Sequence, residues 1–322
     1  MCIRDRVNGA CGIGTGFSTN ILCYNPITII SYIQSKLLPG TSGEEFEFIP
    51  YYRGFTGQVI PVTATSKTKG VEGMKFLVKG IYSKKNENVI VVSELPIGMW
   101  IDTFKELLEK LCATTDKDGK KLTPHIKNYE ENCTDKTIHF TITFMKDKLG
   151  ELEAMPIENG VDGIEKLLKL YSIETTSNMH LFDSNDKLKK YSCVEEIIDD
   201  YFGVRWTVYE KRKEYMINML ENELLFLRNK VRYIQDTIDG IIDLRNKKSD
   251  WVTNMLEERG FDKIEDKYHY LIKLPMDSVT EENIVKLKRD FEIKTEELQT
   301  LRETSITDMW NRELVDLYRL CK

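Results

Sequence analysis

The sequence contains no apolar run near the ~18 residues that a membrane span requires, and its start has neither the apolar core nor the small-residue cleavage site of a secretory leader. A soluble, intracellular protein is expected. Seven cysteines (Cys2, Cys11, Cys23, Cys112, Cys133, Cys193, Cys321) form no Cys-x-x-Cys pair, and an odd number cannot all close within one chain, so reduced thiols are expected. The four histidines, His125, His139, His180 and His269, have no partner three or four residues away, which removes the usual two-ligand helix face for a metal. No phosphate loop ends in Lys-Ser or Lys-Thr, and no catalytic triad can be proposed from spacing. The run Asp183-Ser184-Asn185-Asp186-Lys187 begins like a calcium loop. It lacks the glycine at the sixth position and has Val194 where the twelfth-position glutamate belongs, so it reads as a solvated turn.

What is present is a chain of 322 residues, 41% hydrophobic and 30% charged, long enough for two or more domains. The net charge is -6, but it is unevenly spread: residues 1–80 carry +3, residues 81–204 carry -7 and residues 205–322 carry -2. Phosphate neutralisation needs clustered Lys and Arg, so composition places any nucleic-acid contact in the first quarter.

The first six residues have no periodicity and read as a truncation or assembly scar. Asn25-Pro26 opens a helix, Ile27 to Leu38, that stops at Pro39-Gly40. Strand texture follows over Gln58 to Val62, Met74 to Val78 and Asn88 to Ser93. Thr103 to Cys112 is helical, Lys121 to Asn132 reads as loop, Thr137 to Met145 as strand, and Gly163 to Leu170 as helix. Met179 to Phe182 and Leu188 to Tyr191, around a polar turn, predict a β-hairpin. Beyond Val194 the sequence is almost wholly helical. Val204 to Ile242 has no proline and one glycine, and its seam is Met216, Leu220, Leu227, Val231, Ile234, Ile238 and Ile241. Ser278-Val279-Thr280-Glu281 reads as a capping box for a returning helix with the seam Ile284, Leu287, Phe291, Leu298 and Leu301. The fold class is α+β, and periodicity alone leaves a projecting two-helix arm and a compact bundle equally open.

Gly12-Ile13-Gly14-Thr15-Gly16 is a poor dinucleotide loop, because Phe17 stands where a small residue is needed and no strand precedes it. The wider stretch, Val7-Asn8-Gly9-Ala10-Cys11-Gly12-Ile13-Gly14-Thr15-Gly16-Phe17-Ser18-Thr19, instead resembles the wedge segment of type IIA DNA topoisomerases. The similarity, of the eukaryotic and large-virus kind, continues in order through Tyr24-Asn25-Pro26, Tyr52-Arg53-Gly54-Phe55-Thr56-Gly57 and Glu94-Leu95-Pro96-Ile97-Gly98-Met99-Trp100. It then runs through Ser177-Asn178-Met179-His180-Leu181-Phe182-Asp183, Leu188-Lys189-Lys190-Tyr191, Tyr209-Glu210-Lys211-Arg212-Lys213, Leu227 to Ile234 and Asp308-Met309-Trp310. Cys11 departs from the acidic residue common in the family, and Phe17 from its tryptophan.

The resemblance implies a tail of the winged-helix DNA gate over 1–24, a mixed α/β tower over 25–202, and over 203–322 a long antiparallel two-helix coiled coil with a small helical C-gate cap. Ile13 matches the side chain that intercalates into bent DNA, with Gly12, Gly14 and Thr15 beside it and Arg53, Lys189 and Lys190 on the DNA flanks. Tyr270, Leu271, Leu274 and Met276 match the dimer gate. Double-stranded DNA and a second copy are the partners implied, in the nucleus of a eukaryote or in a viral host's nucleus or cytoplasmic factory. ATP and Mg²⁺ are expected in other parts of the parent enzyme, none on this chain, which lacks the catalytic Arg-Tyr pair and should cut nothing alone. The alternative is a non-enzymatic dimeric coiled-coil scaffold.

Overall fold

The computed structural model describes residues 7–14, 16–38, 46–62, 73–114, 123–134, 136–245, 247–264, 267–275 and 280–322. The chain divides into two compact units, 1–202 with 318–322, and 203–317.

In the first unit β1 (Ala10–Gly14) and β2 (Phe17–Ile21) form an antiparallel hairpin. α1 (Pro26–Leu37) is capped by Asn25, whose side chain accepts a hydrogen bond from Ile27 N at 2.9 Å, and Pro26 occupies the first turn, where no N–H is needed. Its Ile29, Ile30, Ile33 and Leu37 are buried on one face, as their spacing requires; Pro39 and Gly40 lie outside the described residues. Next come β3 (Gln58–Val62), β4 (Lys75–Lys79), β5 (Ile81–Asn86), β6 (Val89–Glu94), α2 (Ile101–Cys112), β7 (Ile126–Glu131) and β8 (Phe140–Phe144). The unit continues through α3 (Lys148–Glu153), α4 (Gly163–Leu168), β9 (Tyr171–Thr175), β10 (Met179–Phe182) and β11 (Leu188–Tyr191).

Two antiparallel sheets result, of order β3-β4-β9 and β5-β6-β8-β7, beside the separate hairpins β1-β2 and β10-β11. Alternate residues of the central strands β6 and β8 (Ile90, Val92, Phe140, Ile142, Phe144) meet Phe104 and Leu108 of α2 in the core, where Phe104 packs edge-on against Phe140 at 5.1 Å. The loop expected over Lys121 to Asn132 is in part strand β7. It sits at a sheet edge and buries little but Ile126, so its sequence carries no apolar alternation.

The two sheets are joined at the start of α4. Asp162 and Glu165 make a reciprocal capping box there. Glu165 also accepts from Lys79 of β4 at 2.7 and 2.9 Å, while Asp162 accepts from Tyr82 of β5 at 2.7 Å. Between those strands Gly80 passes so close that a Cβ would lie 2.4 Å from Glu94 O.

The second unit takes residues from 203 onward of α5 (Val194–Ile238), then α6 (Ser249–Glu258), α7 (His269–Ile272), α8 (Glu281–Glu303) and most of α9 (Ile306–Cys321). α5 ends at a left-handed Gly240 (φ 71°), with Ile241 N returning to Asp236 O at 2.9 Å, so the expected seam runs out and Ile238 and Ile241 are exposed. Lys213 donates to Thr304 O at 2.8 Å, Arg302 pairs with Glu221, and Lys294 lies 3.4 Å from Glu223. Rising numbers on α5 thus meet falling numbers on α8, with Leu220 and Leu298 buried. Nearer the returning end, Tyr209 stacks on Trp310 at 5.1 Å and donates to Glu313. Burial, and then that bond to Glu313, push the Tyr209 phenol up to about 12.

The returning helix α8 is followed by a further helix, α9. The break falls at Thr304, and Ser305 Oγ caps α9 by accepting from Asp308 N at 3.0 Å. The start of α8 also differs from the expected capping box: Thr280 is the cap, accepting from Asn283 N, and Ser278 and Val279 lie outside the described residues. α6 and α7 close a core of Tyr233, Ile234, Leu256, Phe261, Leu271 and Ile284.

Replacing Glu165 with alanine removes half of a capping box and strands the largely buried Lys79 ammonium, and is expected to cost about 3 kcal/mol. Urea unfolding reads this directly; a loss below about 1 kcal/mol would show that water takes over both roles.

Candidate nucleic-acid interface

Gly14 pairs with Phe17, so the first hairpin turns over two residues; Gly16 takes the left-handed φ of 84° that such a turn demands, and Thr15 lies outside the described residues. Ile13 stands opposite Ser18 and is 92% exposed. On either side of it are Gly12 and Gly14, where an added Cβ would find its nearest neighbours at 3.8 and 3.7 Å, an ordinary contact. The protein itself has room for side chains there, yet carries none. Phe17, across from Gly14, is 61% exposed.

β2 is fastened to the strand that opens the second hairpin. Asn178 Nδ2 donates to Ser18 Oγ at 2.8 Å, Asn20 N donates to Asn178 O at 2.8 Å, and His180 N donates to Thr19 Oγ1 at 3.2 Å. The His180 ring lies edge-on to Phe17 at 6.3 Å. The second hairpin turns as expected around Asp183, whose carboxylate accepts from Lys187 N and Asn185 N and is held below its ordinary range by those two bonds.

Pleating separates the residues of β10 and β11. Met179 and Tyr191, cross-strand partners, are fully buried, and Leu181 and Lys189 share their face. The other face carries His180 opposite Lys190 and Phe182 opposite Leu188. Phe182 is 60% exposed. Sequence reasoning does not single out Phe182 and Leu188; their signal is an apolar residue on each side of a polar turn.

Lys190 therefore stands on the exposed face, whereas Lys189 stands on the face of Met179 and Tyr191 with 39% of its side chain exposed. Its Nζ is 2.8 Å from Asp200 and 3.6 Å from Glu196, over the Tyr191 ring at 4.7 Å, with its charge matched by two carboxylates. These contacts bind the hairpin to the first turns of α5. Arg53 is exposed on the turn Tyr52–Phe55, with Gly54 at φ 85° and no ion-pair partner among the described residues. Tyr51 N donates to Cys23 O at 2.8 Å, which ties that loop to the chain just after β2. The neighbouring Tyr52 phenol is pushed up to about 12, by burial first and then by Glu174 and Cys23.

In the second unit Leu271 is fully buried in the unit's own core, where it packs the cap. Tyr270 is half-buried and donates to Asp262 O at 2.6 Å; Leu274 is half-buried against the same core, and Met276 lies outside the described residues. Among the described residues, exposed apolar side chains near this end include Ile238, Ile241, Trp251, Ile272 and Val285. Among the described residues no cluster of His, Cys, Asp or Glu could hold a metal ion, and no helix is long and apolar enough to cross a membrane.

The Lys189 ammonium holds the Asp200 carboxyl below its ordinary range, with Tyr191 adding a second bond. A lowered folded pKa contributes stability that is complete above the unfolded value of about 4 and is lost as pH falls through the folded one. Asp200→Asn should therefore be less stable than the parent at neutral pH and approach it in acid, as followed by thermal unfolding from pH 7 to 2. A gap independent of pH would contradict this.

The chain matches the DNA gyrase/topoisomerase IV family, in its A-type chain, over residues 6–315. It is 35% identical over 256 residues to DNA topoisomerase 2 of Arabidopsis thaliana, covering 79% of this chain and 16% of that protein. To the mitochondrial DNA topoisomerase 2 of Dictyostelium discoideum it is 30% identical over 97% of this chain and 23% of the other. The solved DNA-binding, cleavage and re-ligation domain of Plasmodium falciparum topoisomerase II superposes with a TM-score of 0.79 at 30% identity, covering 98% of this chain and 44% of that one. The chain spans about a fifth of the length of the curated relatives it matches. With a family match over nearly its whole length and an α+β fold shared with a topoisomerase II structure, the chain belongs to the type IIA DNA topoisomerases, an isomerase family.

Proposed function

We propose that this chain bends the DNA segment to be cut and supplies the exit gate of a type II topoisomerase. The observation that carries the reading is Ile13, a branched aliphatic standing in water between two glycines at the end of a hairpin. Bare flanks allow the backbone to come close to a base step, and an apolar wedge there lets the kinked duplex touch more protein in return for lost stacking. Gly12 and Gly14 flank the wedge, Thr15 is a further DNA contact by the family resemblance, and Arg53 and Lys190 meet phosphates on the flanks. The +3 charge of residues 1–80 supports contact on that side.

The proposed divisions are wedge and gate tail over 1–24, tower over 25–202, and coiled-coil arm with C-gate over 203–322. Opposed pairing of α5 with α8 supports the coiled coil. The arm's end would meet a second copy through Tyr270, Leu274 and Met276 together with Ile241, Trp251 and Ile272. The attacking tyrosine, the Mg²⁺ and the ATP belong to other parts of the parent enzyme, so this chain alone relaxes no DNA. Its compartment is intracellular: the nucleus in a eukaryote, or a host nucleus or cytoplasmic factory for a virus.

Bending of a 30-base-pair duplex, followed by energy transfer between its ends, should fall about tenfold in apparent affinity for Ile13→Ala, equivalent to about 1.4 kcal/mol. Binding should weaken with salt in both proteins. A chain that binds no duplex at low salt, or bends it equally well without Ile13, would leave a non-enzymatic dimeric scaffold as the reading. For the gate, Trp251→Glu should shift the sedimentation equilibrium toward monomer; an unchanged dimer constant would remove Trp251 from the contact.

A further inference from the structure

A two-stranded hairpin by itself is barely stable in water, and the outer part of β1–β2 buries almost nothing: Cys11, Gly12, Ile13, Gly14 and Phe17 are all exposed. Such a hairpin would yield before stacked bases do. If Ile13 is to separate a base step, the strand behind it must be braced against a body that does not move.

We propose that Asn178 is the positioning residue that provides this brace. The inference rests on the wedge reading of Ile13. Ser18 lies directly across from Ile13, and its hydroxyl accepts from Asn178 Nδ2 at 2.8 Å. Two residues along, Asn20 N donates to the backbone carbonyl of the same Asn178 at 2.8 Å. The other end of the Asn178 amide, Oδ1, accepts from His180 Nδ1 at 2.9 Å, because a carbonyl oxygen can only accept. That bond fixes the tautomer and orientation of the ring that lies edge-on to Phe17, the cross-strand partner of Gly14. One side chain thus fixes both positions that face the tip, Ser18 opposite Ile13 and, through His180, Phe17 opposite Gly14. The brace continues inward: Met179, the next residue, is fully buried, and its cross-strand partner Tyr191 bonds Asp200 at the start of α5.

Asn178 is only half-buried and its side chain bonds nothing in either β-sheet, so its removal should loosen the wedge hairpin and leave the fold intact. The first measurement is amide hydrogen exchange in the 322-residue chain without DNA. In Asn178→Ala, exchange across β1 and β2 should quicken about tenfold, with β4, β6 and β8 unchanged and the same melting midpoint. Ser18→Ala breaks the same side-chain bond from the other end and should quicken exchange there too. Unchanged exchange in the hairpin for both variants would overturn the proposal.

The second measurement is a double-mutant cycle on duplex bending. Asn178→Ala should weaken bending about tenfold when Ile13 is present and have no further effect in the Ile13→Ala background. Additive losses would mean that Asn178 touches DNA on its own account, and would overturn the positioning role. If Ile13→Ala leaves bending unchanged, the wedge reading fails, while hydrogen exchange still decides whether Asn178 braces the hairpin.

Discussion

An isoleucine side chain held in water forgoes roughly 1.5–3 kcal/mol of burial free energy, and Ile13 forgoes nearly all of it. That free energy can be recovered only against an apolar surface outside this unit, and only if the hairpin keeps the side chain out instead of folding it inward. Everything around the tip bears on this constraint. The bonds from Asn178 and His180 hold β2 behind the tip and prevent it from swinging back. The second hairpin is itself seated by Met179 and Tyr191 and by the Lys189 bridge to Asp200.

Rigidity deeper in the first unit comes from polar contacts as much as from the apolar core. The start of α4 receives Lys79 from one sheet and Tyr82 from the other, so a single capping box fixes where two sheets meet. In the second unit the same economy appears at Glu313, which accepts from Tyr209 and pairs with Arg212 beside the Trp310 stack. Charged groups here connect elements, as Lys189 does at Asp200.

Much of the fold is legible in the sequence because periodicity follows burial. α1, α2 and the β10-β11 hairpin have apolar positions at the spacing their structures need. β1 and β2 read only as a glycine-rich turn, since Gly12, Gly14 and Gly16 dilute strand texture, and β7 reads as loop because an edge strand needs few apolar residues. For the interface, a neighbouring pair of lysines gives no sign of which faces outward. Only the burial of Met179 and Tyr191 fixes the pleat, which puts Lys189 on the face that meets Asp200 and Lys190 on the opposite one. Likewise Leu271 has the character of an interface residue in sequence, and only the packing of α7 shows that its own unit claims it.

The central claim is that Ile13 enters a stack of bases. Its most direct test places 2-aminopurine at successive positions of a duplex and follows its fluorescence as the 322-residue chain is added. Brightening confined to the steps on either side of one site, and abolished by Ile13→Gly, is the result expected of a wedge. Uniform quenching along a duplex that is nevertheless bound would contradict it.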